Sequence, residues 1–378
     1  MEEIEVSVIM PCLNEEETVG VCVKKALVSL ERLNKRGEVI VIDNGSKDNS
    51  VEIACKAGAK VIFEPEKGYG SALLRGFKEA RGKFIIMGDA DDTYDFSQID
   101  RFLNLLYEGF DFVIGSRFKG RIHKGAMSWS HRFIGNPILS GICRLFFHHQ
   151  FSDVHCGMRA ITKEAYQKLN LQTKGMEFAS EMIVIALREG LKIKEISIDY
   201  YLRKGVSKLR SFKDAWRHLR FMLLFSPNYL FLLPGGILFI LGLLLLFFLL
   251  PGPFVIFGRR WDIHLMIVGS LSAILGFQIL SLGFYAKTYS LLEGFLKEDR
   301  LICFLQSHFN LEKGIFLGLF FFLMGLCINL YILLEWIMKR FGALDRVRLT
   351  LVGVTFLIIG VQIIFSSFFL SILGLKKR

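Results

Sequence analysis

Four stretches without a single charged residue, 229–250, 265–285, 314–334 and 349–373, constrain this chain more than any other feature. Each reaches the length of about 20 apolar residues that a helix needs to cross the hydrocarbon core of a bilayer. Buried helices of soluble proteins rarely run so long with no charge at all, so the second half reads as four transmembrane helices. The apolar excess, 52% hydrophobic residues over 378, sits there, while the first half has an ordinarily polar composition. No ionisable residue falls inside the four stretches, which argues against a transport path. The Gly235-Gly236 pair and Gln278, Asn329 and Gln362 read instead as helix-packing features.

The formal charge of +11 is uneven, and its densest part, Arg203, Lys204, Lys208, Arg210, Lys213, Arg217 and Arg220, lies just before the first apolar stretch. Basic residues at that position draw a segment toward anionic headgroups at about 1 kcal/mol each. No nucleic-acid module accompanies them, so the expected partner is the membrane and not a nucleic acid. The seven cysteines have no C-x-x-C spacing and no His clusters suited to zinc, which fits a reducing compartment. Met-Glu-Glu-Ile-Glu at the start lacks the basic region and apolar core of a signal peptide, so the first domain is expected to stay where it is made.

Short β-rich runs at 6–10, 39–43, 60–63, 84–88 and 112–115 alternate with helical patterns at 17–33, 71–80 and 97–107. Such alternation predicts a parallel sheet with crossover helices, whose ligands bind at the carboxyl ends of the strands. Three motifs fall at those ends. Asp89-Ala90-Asp91 follows the fourth run, and two carboxylates at a strand end suit Mg²⁺ or Mn²⁺, which takes oxygen ligands and shares them with substrate phosphates. Alone, the tripeptide is more often a solvated turn or a helix cap. Pro11-Cys12-Leu13-Asn14-Glu15-Glu16-Glu17 offers carbonyls and carboxylates to a base or ribose, yet Asn14 and Glu17 also fit a helix capping box. Asp43-Asn44-Gly45-Ser46-Lys47-Asp48 sets a carboxylate near a nucleobase or ribose, or is a routine strand-to-helix loop turned by Gly45.

Lys67-Gly68-Tyr69-Gly70 carries a weak phosphate-loop signal, for which a tight turn is the plainer explanation. Arg117, Arg121, His123, Lys124, His131 and Arg132 interleave with Phe118, Trp129, Phe133, Phe146 and Phe147, a pattern of an interfacial surface. Glu177 and Glu181 lie four apart on one helical face, and Asp153 precedes an apolar stretch. Any of the three is a candidate general base if the acceptor is a hydroxyl, or else a structural salt bridge or cap.

In order, the motifs P-x-x-N-E-E, D-N-G-S-x-D and D-A-D resemble those of family 2 glycosyltransferases with the GT-A fold. The resemblance continues through Gly115-Ser116-Arg117-Phe118, Asp153-x-x-Cys156-Gly157-Met158-Arg159 and Tyr201-x-Arg203-x-Gly205-x-Ser207-Lys208-Leu209, segments similar to those of dolichyl-phosphate mannose and glucose synthases and their bacterial polyprenyl-phosphate relatives. It implies inverting transfer of a hexose from a nucleotide-diphosphate sugar to a polyprenyl (dolichyl or undecaprenyl) phosphate. By match, Pro11, Leu13, Asn14, Glu15 and Asp43 hold the nucleotide, and Asp89, Ala90 and Asp91 the diphosphate, with Mg²⁺ or Mn²⁺ on Asp89 and Asp91. Arg117, Arg203 and Lys208 grip phosphates of donor or acceptor. Two positions depart from the family pattern: Leu13, where an aromatic is common, and Asp92-Thr93-Tyr94, where the mannose synthases have Leu-Gln-His. With that glutamine absent, Asp92, Thr93 or water is expected at the metal.

The expected architecture is an α/β GT-A (Rossmann-like, mostly parallel sheet) catalytic domain at 1–210, a juxtamembrane amphipathic helix at 211–227 and an α-helical transmembrane domain at 228–378. A multi-pass membrane enzyme with its catalytic domain on the cytoplasmic side follows, its loop charges biased inward and a homo-oligomer left open. Two alternatives stand beside it: transfer to a lipid or saccharide hydroxyl, and an inactive scaffold or sugar-lipid flippase.

Overall fold

The computed structural model describes residues 4–205, 211–292, 302 and 310–375. The chain divides into two compact units, Met1–Met222 and Leu223–Arg378. In the first unit, β1 (Val6–Cys12), β2 (Gly37–Asp43), β3 (Lys60–Phe63), β4 (Phe84–Met87), β5 (Phe112–Ser116), β6 (Arg159–Thr162) and β7 (Ile193–Ser197) form one sheet in the order β3-β2-β1-β4-β6-β5-β7. Six strands run parallel to one another, and β6 runs antiparallel to β4 and β5. The first five strands lie where the alternating pattern predicts them. Neither β6 nor β7 carries that signal: β6 opens on Arg159, and β7 reads Ile-Lys-Glu-Ile-Ser.

Helices α1 (Val19–Arg32), α2 (Ser50–Lys56), α3 (Tyr69–Glu79), α4 (Ile99–Tyr107), α5 (Asn136–Phe147), α6 (Lys163–Leu169), α7 (Phe178–Arg188) and α8 (Ser211–Leu224) cover or flank this sheet. Alternation gives way here to continuous apolar runs because β1, β2 and β4 are buried on both faces, and Val8, Ile9, Val41, Ile42, Ile85 and Ile86 have no exposed surface. Pro11 is tolerated inside β1 because odd-numbered residues of β1 face β4, and that pairing ends at Ile9 opposite Met87. Its missing N–H therefore falls where no ladder partner is due. The capping-box reading of α1 is corrected: its N-cap is Thr18, and Asn14 is drawn off into a left-handed turn with φ 52°.

Arg159 is the largest fully buried side chain in the chain's described part, and its guanidinium donates 2.8 Å hydrogen bonds to three carbonyls, of Val154, Cys156 and Ala179. A buried charge is tolerated when it is hydrogen-bonded, and here each of the three guanidinium nitrogens has a carbonyl partner. The arrangement pins the 153–158 loop and the start of α7 to the sheet.

The second unit contains α9 (Leu233–Leu249), α10 (Ile263–Leu292), α11 (Leu311–Met338) and α12 (Val347–Leu375). A π-helical turn, Asn228–Leu232, precedes α9, so the first apolar span runs Asn228–Leu249. Among the described residues four helices are thus long and apolar enough to cross a membrane. Their glycines repeat at intervals of seven: Gly235 and Gly242, Gly269, Gly276 and Gly283, Gly318 and Gly325, Gly353 and Gly360. A seven-residue repeat keeps one seam of a left-handed helix pair facing its partner, and small residues on that seam let backbones approach closely. A Cβ added at Gly242 would lie 2.3 Å from the Ala273 nitrogen, and one at Gly360 would lie 2.5 Å from the Phe322 nitrogen. Glycine is therefore required at both contacts. Between α9 and α10 a two-stranded hairpin, β8 (Phe254–Ile256) and β9 (Arg259–Trp261), closes through Phe257 and Gly258, both with positive φ, as a primed two-residue turn demands.

At about 1.5 Å per residue, the 30 residues of Ile263–Leu292 make a helix near 45 Å, longer than a hydrocarbon core of about 30 Å. The helix thus extends beyond 285 and takes in Lys287, which is 3% exposed and donates from Nζ to Asn228 Oδ1 at 2.7 Å.

Candidate active site

The carboxyl ends of β1 and β2 are in register, Cys12 opposite Asp43, so the two loops that follow begin side by side. They are stitched together. Asn14 donates its N–H to Ser46 Oγ at 2.9 Å and accepts the Lys47 N–H on Oδ1 at 2.7 Å. The Glu15 N–H donates to Ser50 Oγ at 2.7 Å, and Asp48 accepts from the Ser50 N–H and hydroxyl. Asp43 accepts from the backbones of Gly45 and Ser46, and Gly45 has φ 94°. Asn44 ties the next loop in, donating to the Glu64 and Glu66 carbonyls and accepting from the Gly68 N–H. Asn14 and Asp43, both assigned to the nucleotide by resemblance, thus hold the two loops together. Pro11 and Leu13 flank this junction, Pro11 paired with Ile42.

Lys67-Gly68-Tyr69-Gly70 opens α3, as a tight turn and not as a phosphate loop. The Ser71 N–H donates to the Lys174 carbonyl at 3.2 Å, and Cβ atoms at Gly68 and Gly70 would strike the Lys174 and Thr173 carbonyls. The close fit aims Tyr69 at the neighbouring strand end, where its hydroxyl donates to Asp89 Oδ1 at 2.9 Å.

Asp89-Ala90-Asp91 follows β4. Asp91 is 5% exposed and accepts on Oδ1 from the Thr93 N–H at 3.2 Å and hydroxyl at 2.6 Å. Burial, and then the adjacent Asp91 carboxylate, push Asp89 up from the ordinary carboxylate range to about 7. Gly157 leaves Asp89 its space: a Cβ there would fall 2.8 Å from Asp89 Oδ2, and the Gly157 N–H is held by the Tyr94 hydroxyl at 2.8 Å. Two shielded carboxylates that repel each other fit a hard divalent cation, which relieves the repulsion. Among the described residues no group of three or more His, Cys, Asp or Glu forms a ready cage, so the remaining ligands would be substrate oxygens and water.

Of the residues that departed from the family pattern, Thr93 supports Asp91, and Asp92 is held by Lys25 at 2.7 Å and Lys204 at 3.2 Å. Asp92 has φ 59°, which turns its side chain toward those cations. Arg203 completes the cluster. Its Nη2 lies 2.6 Å from Glu15 Oε1 and its Nη1 3.3 Å from Asp91 Oδ2, so one guanidinium joins the β1 loop to the acidic pair.

Arg117 is held in a buried ion pair. Its Nε and Nη2 donate to the two oxygens of Asp153 at 2.7 and 2.8 Å, its backbone N–H adds a third bond at 3.0 Å, and it is 7% exposed. Its guanidinium carbon lies 5.2 Å from the centre of the Tyr200 ring. The pair occupies the Nε and Nη2 edge of the guanidinium and leaves the expected phosphate grip of Arg117 to its Nη1 end. Asp153 is consumed by the same pair. Glu181 likewise accepts from the backbones of Gln172 and Thr173 and from the Thr173 hydroxyl, fixing the loop before α7. Glu177 stands at the start of α7, its Oε2 buried without a hydrogen-bond partner among the described residues. Lys208 lies outside the described residues. Sequence reasoning missed Tyr69 and Thr93 as supports of the carboxylates, since neither type signals such a role alone.

A mostly parallel sheet with an acidic pair beyond its central strand is the architecture of a GT-A domain. Residues 7–169 match the model of glycosyl transferase family 2, and residues 284–374 match the family 2 C-terminal transmembrane region. The low-salt glycan biosynthesis hexosyltransferase Agl6 of Haloferax volcanii is 39% identical over 97% of this chain and 89% of its own length. The dolichyl-phosphate hexose transferase of the same organism is 30% identical over 55% of this chain and 88% of its own. Glucosyl-3-phosphoglycerate synthase from Mycobacterium tuberculosis aligns at TM-score 0.48 and 19% identity over 58% of this chain and 79% of that one, a likeness too slight to speak to ligands. The chain belongs to glycosyl transferase family 2: it is a glycosyltransferase with a C-terminal transmembrane region.

Proposed function

We propose that the chain transfers a hexose, with inversion, from a nucleotide-diphosphate sugar to a polyprenyl phosphate, and that the catalytic domain faces the cytoplasm, where nucleotide sugars are made. The observation that carries this reading is the meeting of Arg203 with Glu15 and Asp91 beside Asp89, a cation and an acidic pair at one strand end. Two relatives support the sugar class and the acceptor class by their names, a hexosyltransferase and a dolichyl-phosphate hexose transferase.

In this account Asp89 and Asp91 hold Mg²⁺ or Mn²⁺, whose chemistry when bound is to neutralise the leaving diphosphate. The wall built by Pro11, Leu13, Asn14, Glu15 and Asp43 receives the nucleoside, and Ala90, between Asp89 and Asp91 in sequence, lies along the diphosphate by resemblance. Thr93 and Tyr69 fix the rotamers of the pair through the bonds described above. A phosphate with its second pKa near 6 is largely dianionic at neutral pH. Its oxygen therefore forms the new bond to the anomeric carbon as the bond to the diphosphate breaks on the opposite face, and no side chain has to take a proton. Arg203, and Lys208 by resemblance, neutralise the phosphates in that displacement. The commitment of Asp153 and Glu181 to structural bonds agrees with this, because a hydroxyl acceptor would need a free base.

Full-length protein in lipid, given labelled UDP- and GDP-hexoses and a polyprenyl phosphate, tests the reading. A labelled lipid from at least one donor is expected, and none from any donor, with sugar instead appearing on an alcohol acceptor, would refute it.

A further inference from the structure

Three amide side chains lie well inside the spans of the second unit, and they differ in what they meet. Asn329 donates to the Gly325 carbonyl at 2.8 Å, and Gln362 has its Oε1 buried within the unit. Gln278 is exposed and has no hydrogen-bond partner among the described residues. Its neighbours on α10 are otherwise served: Ser270 bonds Thr355 and Tyr285 bonds Ser366, both on α12, and Ser281 donates to the Phe277 carbonyl. Gln278 also stands at the middle of α10, between ends at Ile263 and Leu292. At about 1.5 Å per residue that is about 20 Å from either end, a depth at which hydrocarbon offers an amide neither donor nor acceptor.

The amide belongs to a stripe. Past Ile267 the exposed residues of α10 are Val268, Leu271, Leu275, Gln278, Leu282 and Tyr289, at intervals of three, four, three, four and seven. Such spacing makes one seam of a left-handed helix pair. The other seam of α10, Gly269, Gly276 and Gly283, is filled: Cβ atoms there would strike Leu245, Phe239 and Leu232. We propose that two copies of the chain pair through the open seam, α10 against α10, with their Gln278 amides hydrogen-bonded to each other in the middle of the bilayer. Symmetry and depth select this occupant. Both copies insert in the same sense, so the two-fold axis relating them runs along the membrane normal and each residue of the seam meets its own counterpart. A carboxamide carries two N–H donors and a carbonyl acceptor, so two of them satisfy one another. Lipid chains can cover the leucines but leave the amide unmet. A different protein would need a polar group at the same depth on a seam of the same pitch, and a second copy supplies both. No charged side chain stands on the stripe from Val268 to Tyr289, so the pairing brings no like charges together.

The test uses the full-length chain, labelled with one dye per copy and reconstituted in liposomes over a range of protein-to-lipid ratios. Bleaching in two steps should dominate and give way to single steps on dilution. Gln278→Leu should move the midpoint of that dilution about tenfold toward higher protein, the loss expected for one interhelical hydrogen bond in lipid. Its melting temperature should not fall, because leucine at a site facing lipid opens no cavity. A benzophenone amino acid at Leu271 or Leu282 should cross-link one copy to another on illumination, whereas the same probe at Ile240 of α9, which is 58% exposed, should not. The cross-links are read with Gln278 in place and so decide the matter independently of the leucine variant. Single bleaching steps at every ratio would overturn the proposal. So would dimers that cross-link from Ile240 and not from Leu271 or Leu282, or dimers whose midpoint Gln278→Leu leaves in place. A lower melting temperature in Gln278→Leu would put the amide to use inside one copy and overturn it as well.

Discussion

Arg203 sets its Nη1 3.3 Å from Oδ2 of Asp91, and with its other terminal nitrogen holds Glu15 at 2.6 Å. The guanidinium stands where positive charge is wanted by the acidic pair and by any diphosphate laid across it. Replacing it with Ala should lower the turnover of transfer by about 10² to 10³, the range seen when one charge-stabilising donor is lost. Binding of UDP or GDP, read by calorimetry, should change little, because the loop bonds of Asn14, Glu15 and Asp43 do not involve Arg203 beyond Glu15. A variant with unchanged turnover would remove Arg203 from the reaction.

For the acidic pair the expectation is sharper. Asp91→Asn keeps the acceptor atom that Thr93 holds but halves the charge that would retain a divalent cation. Transfer should fall by at least about 10², and Mn²⁺ binding in the presence of UDP, followed by electron paramagnetic resonance, should weaken in parallel. Chelation of the parent protein should abolish transfer reversibly. Full activity in excess chelator would dismiss the metal.

Arg117 and Asp153 should behave as a structural pair. Arg117→Ala leaves Asp153 buried with a charge and no partner, and breaking a buried pair costs about 3–5 kcal/mol. The melting temperature should drop in both Arg117→Ala and Asp153→Asn, and activity should be lost in proportion to folded protein. An Asp153→Asn variant that stays folded yet inactive would instead make Asp153 a catalytic base.

The elements legible in the sequence are those whose burial is uniform. β1, β2 and β4 are largely apolar because they sit in the middle of a doubly covered sheet, and all of the first five strands lie within two residues of their expected limits. Arg159 hid β6, since a fully buried arginine satisfied by three carbonyls looks like a surface residue in sequence. The partner of Arg117 lies 36 residues away and is set by tertiary structure alone, so spacing could not expose it. Asn14 carried a genuine capping signal, overridden because the loop after β2 offers its backbone to the same side chain. The acidic pair was readable because it is local, two carboxylates at a strand end, whereas of the glycine seams only the Gly235-Gly236 pair was read as a packing feature.

Acid should loosen the first unit through His218. Burial, then Arg159 and Arg217, hold this imidazole down to about 4 against an ordinary 6.5, with His155 packed 4.3 Å away and Ser180 Oγ 2.8 Å from Nδ1. A depressed histidine pKa means that the folded chain keeps the ring neutral while the unfolded chain takes up a proton between those two values. Stability is therefore full above about pH 6.5 and declines toward pH 4, by up to about 3 kcal/mol from this group. Thermal unfolding across that range should show the slope, reduced in His218→Gln. A flat profile in the parent would place His218 in water.

In the second unit Gly242→Leu should separate α9 from α10, since its side chain would enter the space now held by the Ala273 backbone at 2.3 Å. The expected readout is a loss of most folded protein from membranes on detergent extraction. Normal yield and melting would show that the two helices pack elsewhere.

The lability of the product tests the central claim, transfer to a phosphate, most directly. A sugar joined to a lipid phosphate is an acid-labile glycosyl phosphate, whereas one joined to a lipid alcohol is a stable glycoside. Lipid product made by the full-length protein from labelled nucleotide sugar should release its label on brief treatment with mild acid. Label that stays with the lipid under that treatment would contradict the account and point to a hydroxyl acceptor.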